Sequence, residues 1–304
     1  MVIGVTGCTG FVGRHVIAAA AAAGHGVIGY SRSPGAVAGC MEVRRWQPID
    51  DADFRGLDAI VHLAGENIFG LWTARKRAEI RRSRVDDTLR LTHALWRLSR
   101  PPRVLVSAGG TAWYGDRGEE QLPENATSGT GFLARVAHDW EAAACEAGGF
   151  SRVCILRTAM VLGRDGGAAR VLSRVYRLGL GGRMGSGRQW WPWIHVDDLA
   201  RMYLWAVETG SVQGAVNAAA PGIIRNAEFA AGVARVLHRP SWLRAPAFVL
   251  RALPGGMSAL FLSSQKVIPR AALDAGFAFQ FPDFAAAAQD VFAARAEQPS
   301  SRSD

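Results

Sequence analysis

Thr6-Gly7-Cys8-Thr9-Gly10-Phe11-Val12-Gly13 stands between a short apolar run, Val2-Ile3-Gly4-Val5, and an alanine-rich stretch that continues from Phe11 to Ala23 before Gly24. The run reads as a buried strand, the alanine-rich stretch as a helix that Gly24 ends, and the glycines as the turn between them. Each glycine meets a physical need. The chain must bend sharply, backbone N–H groups must reach a pyrophosphate with no Cβ in the way, and the helix must pack close to the strand with its positive N-terminus facing the phosphates. In this setting the spacing predicts a dinucleotide site formed by Gly7, Thr9, Gly10, Phe11, Val12 and Gly13.

Working outward, further apolar strand candidates fall at Gly26 to Tyr30, Ala59 to Leu63, Arg103 to Ser107 and Arg152 to Leu156, with helical stretches around 72–98 and 131–147. Strands alternating with helices imply an α/β fold, a Rossmann-type doubly wound parallel sheet covered on both faces. After about residue 215 the pattern changes. Asn226 to Leu237 is helical in character, and Pro240, Pro246, Pro254, Gly255, Gly256 and Pro269 then break the chain into short pieces. The expected organisation is a nucleotide-binding domain over 1–215, a smaller C-terminal substrate-side region over 216–296, and a polar, flexible tail over 297–304.

An acidic residue about 20 residues past the glycines would bind the free ribose hydroxyls of NAD. That place holds Tyr30-Ser31-Arg32-Ser33 instead. With no carboxylate there, the Ser31 hydroxyl and the Arg32 guanidinium can grip a 2′-phosphate by charge-assisted hydrogen bonds, so the expected cofactor is NADP(H).

Composition narrows the remaining classes. The chain has 304 residues, 49% of them hydrophobic and 20% charged, which excludes disorder, collagen and coiled coil as its global class. Its formal net charge is +9, yet only Lys76 and Lys266 are lysines, and the arginines are spread along the chain with no nucleic-acid motif, so nucleic acid is not an expected partner. Cys8, Cys40, Cys145 and Cys154 form no CxxC pair or Cys/His cluster, so no metal site is expected and a reducing cytoplasm fits. Val16 to Ala23 is far shorter than the roughly 20 residues that span a bilayer, and no membrane partner is expected. The expected partner is a small molecule; the sequence sets no oligomeric state.

With these residues in view, the chain resembles the extended short-chain dehydrogenase/reductase superfamily, and within it an atypical, epimerase-like family with a C-terminal domain of unknown function at about 246–293. Beyond the glycine turn, the matching stretches are His62 to Ile68, Trp72 through Lys76 to Arg84, Trp113-Tyr114-Gly115, Phe132 to Ala134 with Trp140-Glu141, Arg157 to Gly167, Gly179 to Asp198, and Gln265 to Pro269. The resemblance implies that Leu63 and Ala64 pass along the adenosine and ribose, and that Glu79, Arg84 and Ser107 belong to the cofactor-binding set. Trp72, Lys76, Ile80 and Arg84 recur every four residues, on one helical face.

Ordinary superfamily members run their redox step with a tyrosine and a lysine four residues later, helped by serine and asparagine. Neither lysine here lies four residues after a tyrosine. Aligned on Trp140-Glu141, Leu133 and Ala137 stand where the tyrosine and lysine belong, Gly109 where the serine does, and Arg84 where the asparagine does. The remaining candidates for chemistry are Tyr114, expected at the carboxyl edge of the sheet, and Glu66, expected beside the nicotinamide, where burial would raise its pKa toward that of a general acid or base. By resemblance, Gly179 to His195 borders the substrate pocket, with Arg188 able to bind an anion, Trp193 to stack on a flat ligand and His195 to shuttle protons. Expected overall is an NADP(H)-binding oxidoreductase or epimerase-like enzyme acting on a small carbonyl, hydroxyl or sugar-nucleotide-like compound. The rival is a catalytically silent NADPH-binding sensor.

Overall fold

The uninterrupted apolar runs become strands buried on both faces, the signature of a parallel sheet whose crossovers place helices above and below it. The computed structural model describes residues 1–47 and 49–293. Among these, the central sheet comprises β1 (Val2–Thr6), β2 (Gly26–Ser31), β3 (Glu42–Arg45), β4 (Ala59–His62), β5 (Val104–Gly110), β6 (Arg152–Thr158) and β7 (Gly214–Ala218). All are parallel, in the order β7-β6-β5-β4-β1-β2-β3. The chain runs outward from β1 to β3 and then returns across β1 to β4, so the switch point lies between β1 and β4. Crevices at the carboxyl ends of such a pair are where open α/β sheets bind ligands.

The major helices are α1 (Phe11–Ala22), α2 (Ala74–Trp96), α3 (Phe132–Cys145), α4 (Gly167–Arg177), α5 (Val196–Glu208) and α6 (Asn226–Val236). Three short ones follow, α7 (Ala247–Arg251), α8 (Ala259–Leu262) and α9 (Arg270–Asp274), before α10 (Phe284–Phe292). Strand alternation sorts the core into two layers. Ile3, Val5, Val61, Val106 and Cys154 share a cluster with Val16, Ile17 and Ala20 of α1 and Leu199 of α5. Tyr30, Ile60 and Leu105 meet Leu91, Ala94 and Leu95 of α2 on the opposite face.

Two strands escape the apolar-run reading. β3 carries Glu42, Arg44 and Arg45 because it is the sheet edge, where charge discourages further pairing. β7 consists of small residues and Asn217, and the boundary expected at 215 falls inside it, so the sheet-bearing unit continues to Ala218. The tail expected over 297–304 lies outside the described residues.

Beyond the sheet, Met160–Gly163 pairs in parallel with Trp193–His195 and carries a second core in which Trp191, Trp193 and Phe229 meet Phe284 and Phe292 of α10. The Asp198 carboxylate ties this region to α5 by accepting the backbone N–H groups of Gln280 and Phe281, both at 2.8 Å.

Candidate functional site

Gly7 has φ +69°, in the left-handed region that an L side chain rarely adopts, and a Cβ there would press on the backbone of Leu63 and Ala64 at 3.2 Å. A Cβ on Gly13 would sit 2.3 Å from the Gly7 carbonyl oxygen, so α1 packs on the turn only because Gly13 has none. At the start of α1, Gly10 is the N-cap and offers no side-chain acceptor, and the first turn contains no acidic residue. The first-turn N–H groups and the positive end of the helix therefore face the crevice without an anion of the protein's own, a cradle suited to a pyrophosphate.

At the carboxyl end of β2, Thr9 Oγ1 and Ser31 Oγ lie 3.4 Å apart, and Ser31 Oγ accepts the Ser33 N–H at 3.3 Å. Arg32 projects from this rim with 78% of its side chain exposed, and its Nη1 stands 3.7 Å from Glu66 Oε2. Glu66 in turn accepts a hydrogen bond from Lys76 Nζ at 2.5 Å, and its carbonyl accepts one from Arg84 Nη1 at 2.8 Å. In the loop after β4, two cations thus meet the Glu66 carboxylate and a third holds its backbone carbonyl. The Lys76 hydrogen bond, followed by the charges of Lys76, Arg32 and Arg84, holds the Glu66 carboxyl below its usual range against the opposing effect of burial.

That geometry corrects the expectation of a raised Glu66 pKa: the residue is an ionised, half-buried counter-charge. Lys76 belongs to the site through Glu66, whereas Ile80 on the same face of α2, and Trp72 just before the helix begins, are core. Arg84 is half-buried, with its guanidinium 5.2 Å from the Trp140 ring, and desolvation lowers its pKa to about 10, which leaves it charged at neutral pH. Glu79 faces Arg75 on the outside of α2 at 2.9 Å, and among the described residues no hydrogen bond or ion pair joins it to Arg84 or the glycine turn.

Behind the cradle, one buried chain of hydrogen bonds fixes Leu63 and Ala64. Thr6 Oγ1 accepts both of their backbone N–H groups, at 3.0 and 3.1 Å, so its proton goes to His62 Nδ1 at 2.8 Å. His62 Nε2 then donates to Thr88 Oγ1 at 2.9 Å, and Thr88 donates to the Arg84 carbonyl. The order requires a neutral imidazole, and burial alone lowers the His62 pKa from 6.5 to about 4. Nothing local to Thr6 or His62 marks this role; their pairing across adjacent strands, in register, supplies it.

The other candidates are placed differently. Tyr114 is fully buried; its hydroxyl donates to Asn217 Oδ1 at 2.7 Å and accepts from Arg157 Nη1 at 3.0 Å, while burial pushes its pKa up. Arg157 also grips Glu141 through two 2.9 Å hydrogen bonds, so Tyr114 belongs to an internal network joining the turn after β5 (Thr111–Tyr114) to β6, β7 and α3. It is therefore not a free proton donor. Ser107 is buried within β5 and donates to the Ala108 carbonyl.

Trp193 is a core residue: its indole N–H donates to the Gly222 carbonyl at 2.9 Å, and its ring meets Phe284 edge-on. His195 is also buried. Its Nδ1 accepts the Asp197 N–H as the N-cap of α5, leaving Nε2 to donate to Asp290 at 3.2 Å, and its ring stacks on Phe281. Both residues leave the substrate pocket to which resemblance assigned them, because the segment that carries them is a strand of the second core. Arg188 is exposed, and its carbonyl accepts from Arg225. Leu133 and Ala137 are apolar packing residues, Leu133 beside the cluster of Trp72, Val136 and Met257. Among the described residues, no cluster of His, Cys, Asp or Glu could hold a metal ion.

The sequence pattern of the NAD-dependent epimerase/dehydratase family matches residues 3–219, the span that carries the glycine turn and the whole sheet. The chain belongs to this family. A domain of unknown function, DUF1731, matches residues 245–291. The epimerase family protein SDR39U1 of Mus musculus is 37% identical over 294 residues, 95% of this chain and 99% of that protein. YfhF, an epimerase family protein of Bacillus subtilis, is 34% identical over 97% of this chain and 99% of its own length. Among solved structures, human SDR39U1 isoform 2, crystallised with NADPH, superimposes with a TM-score of 0.89 at 35% identity, over 96% of this chain and 99% of that one.

Proposed function

We propose that this epimerase-family chain binds NADP(H) across the turn between β1 and α1, and that its chemistry is a hydride exchange with a small carbonyl or hydroxyl compound. The observation that carries the reading is the set of three cations at Glu66 beside the glycine cradle, Arg32 and Lys76 on its carboxylate and Arg84 on its backbone carbonyl. The amides of the turn and the start of α1 would hold the pyrophosphate, Leu63 and Ala64 would line the adenosine side, and Arg32 with Ser31 would take the 2′-phosphate. NADPH supplies a hydride from C4 of its nicotinamide. Arg32 can leave Glu66 for a phosphate at little cost, since the 3.7 Å contact is loose and exposed. The NADPH seen with human SDR39U1 supports the same reading for this chain.

A second reading, the catalytically silent NADPH-binding sensor, is favoured by the chain's own side chains. Tyr114 is locked, Glu66 is ionised, and Leu133 and Ala137 occupy the positions of the usual proton-moving pair.

Two fluorescence measurements test these readings. Replacing Arg32 by Ala is expected to weaken NADPH about tenfold or more while leaving NADH nearly unchanged. Equal losses for both would remove the 2′-phosphate assignment. NADPH consumption in a screen of aldehydes, ketones and sugar nucleotides supports the enzyme, whereas tight binding without turnover leaves the sensor.

A further inference from the structure

We propose that the face built from α4, the turn after it and the segment from Trp242 to Arg251 docks on an anionic phospholipid surface. This peripheral contact departs from the sequence expectation of no membrane partner, and it is independent of the nucleotide reading. No described helix is long and apolar enough to cross a bilayer.

Three observations carry it. The first is exposed apolar surface. Val171, Val175 and Leu178 follow one another at four- and three-residue steps along α4 and point outward, Leu178 with 74% exposure. Trp242 and Phe248 are 77% and 73% exposed. A soluble monomer rarely gathers such residues without a use for them.

The second is continuity. Leu180 N donates to the Val175 carbonyl, folding the end of α4 back toward its own exposed side, and Gly182 then bridges to Trp242. Residues Gly182–Met184 pair with Leu243–Ala245, and α7 with Phe248 begins two residues later. The backbone thus joins the helix, turn and strand pair into one stretch of surface.

The third is charge. The sequence holds no Asp or Glu from Gly166 to Val196 or from Phe229 to Leu273, while Arg170, Arg174, Arg177, Arg183 and Arg251 all lie in these stretches and are exposed. None of these five arginines forms an ion pair among the described residues. Indole and phenyl side chains that enter the headgroup boundary, beside guanidinium groups that pair with lipid phosphates, are what an anionic interface accepts. A second copy of the chain would bring the same positive charge against itself and is disfavoured.

Co-sedimentation of the full chain with vesicles tests the proposal. With about 30% phosphatidylglycerol in phosphatidylcholine, binding is expected to exceed that on phosphatidylcholine alone by about tenfold or more, and to fall as salt is raised. A Trp242→Ser/Phe248→Ser double variant and an Arg174→Glu/Arg177→Glu double variant should each lose the binding while keeping the parent's melting temperature and NADPH titration. The proposal is overturned if the parent does not pellet with the anionic vesicles, if it pellets equally with neutral ones, or if both folded variants still bind. It is also overturned if light scattering shows a dimer that Trp242→Ser dissolves while vesicles capture nothing.

Discussion

Glu66 sits 2.5 Å from Lys76 and 3.7 Å from Arg32, so it cancels part of the positive charge offered to a phosphate. Glu66→Gln is therefore expected to tighten NADPH several-fold, most at low salt, in the same fluorescence titration in which Arg32→Ala weakens it. Loss of turnover at unchanged affinity would instead return Glu66 to the chemistry. His62 gives a pH effect of definite sign. The unfolded chain takes up a proton near 6.5 that the folded chain, with His62 at about 4, refuses. Its contribution is present above 6.5 and is lost as pH falls toward 4, about 3 kcal/mol in all. Urea midpoints measured between pH 7 and 4.5 should fall more steeply for the parent chain than for His62→Gln.

At the scale of elements, the β1–α1 unit was legible because each of its signals is local: an apolar run, glycines at fixed spacing, an alanine-rich helix and a terminal glycine. The expected helix from Phe11 to Ala23 is observed at Phe11–Ala22. Gly13 shows how tightly the unit is drawn, since an added Cβ meets backbone at 2.3 Å rather than a yielding side chain. Gly13→Ala should cost about 1–3 kcal/mol in chemical denaturation and lower nucleotide affinity as the helix shifts off the turn. Where an element's character depends on its neighbours, the local signal failed. β3 is charged because it is an edge, and the Trp193 to His195 segment resembles a pocket lining until its pairing with Met160–Gly163 makes it core.

At the scale of the molecule, the C-terminal region closes the second core. Phe284 packs on both Trp193 and Phe229, and Phe292 belongs to the same cluster. A chain ending before α10 would leave these aromatic faces in water. It is expected to bind the dye ANS, lose cooperative thermal unfolding and aggregate, while the chain through residue 293 melts in one transition.

The sequence by itself determined the class of fold, the phosphate turn and the absence of a carboxylate after β2, because each depends on residue type within a few positions of chain. Only the tertiary structure decided which polar groups share a charge. Glu66, Lys76, Arg32 and Arg84 come from a strand end, a helix and a separate rim, and Tyr114 is held by Asn217, which lies 103 residues away in sequence. Protonation and exposure follow from what surrounds a group in space. Residue type alone singled out Tyr114 and Glu66, and packing made one a member of a buried network and the other an ionised counter-charge.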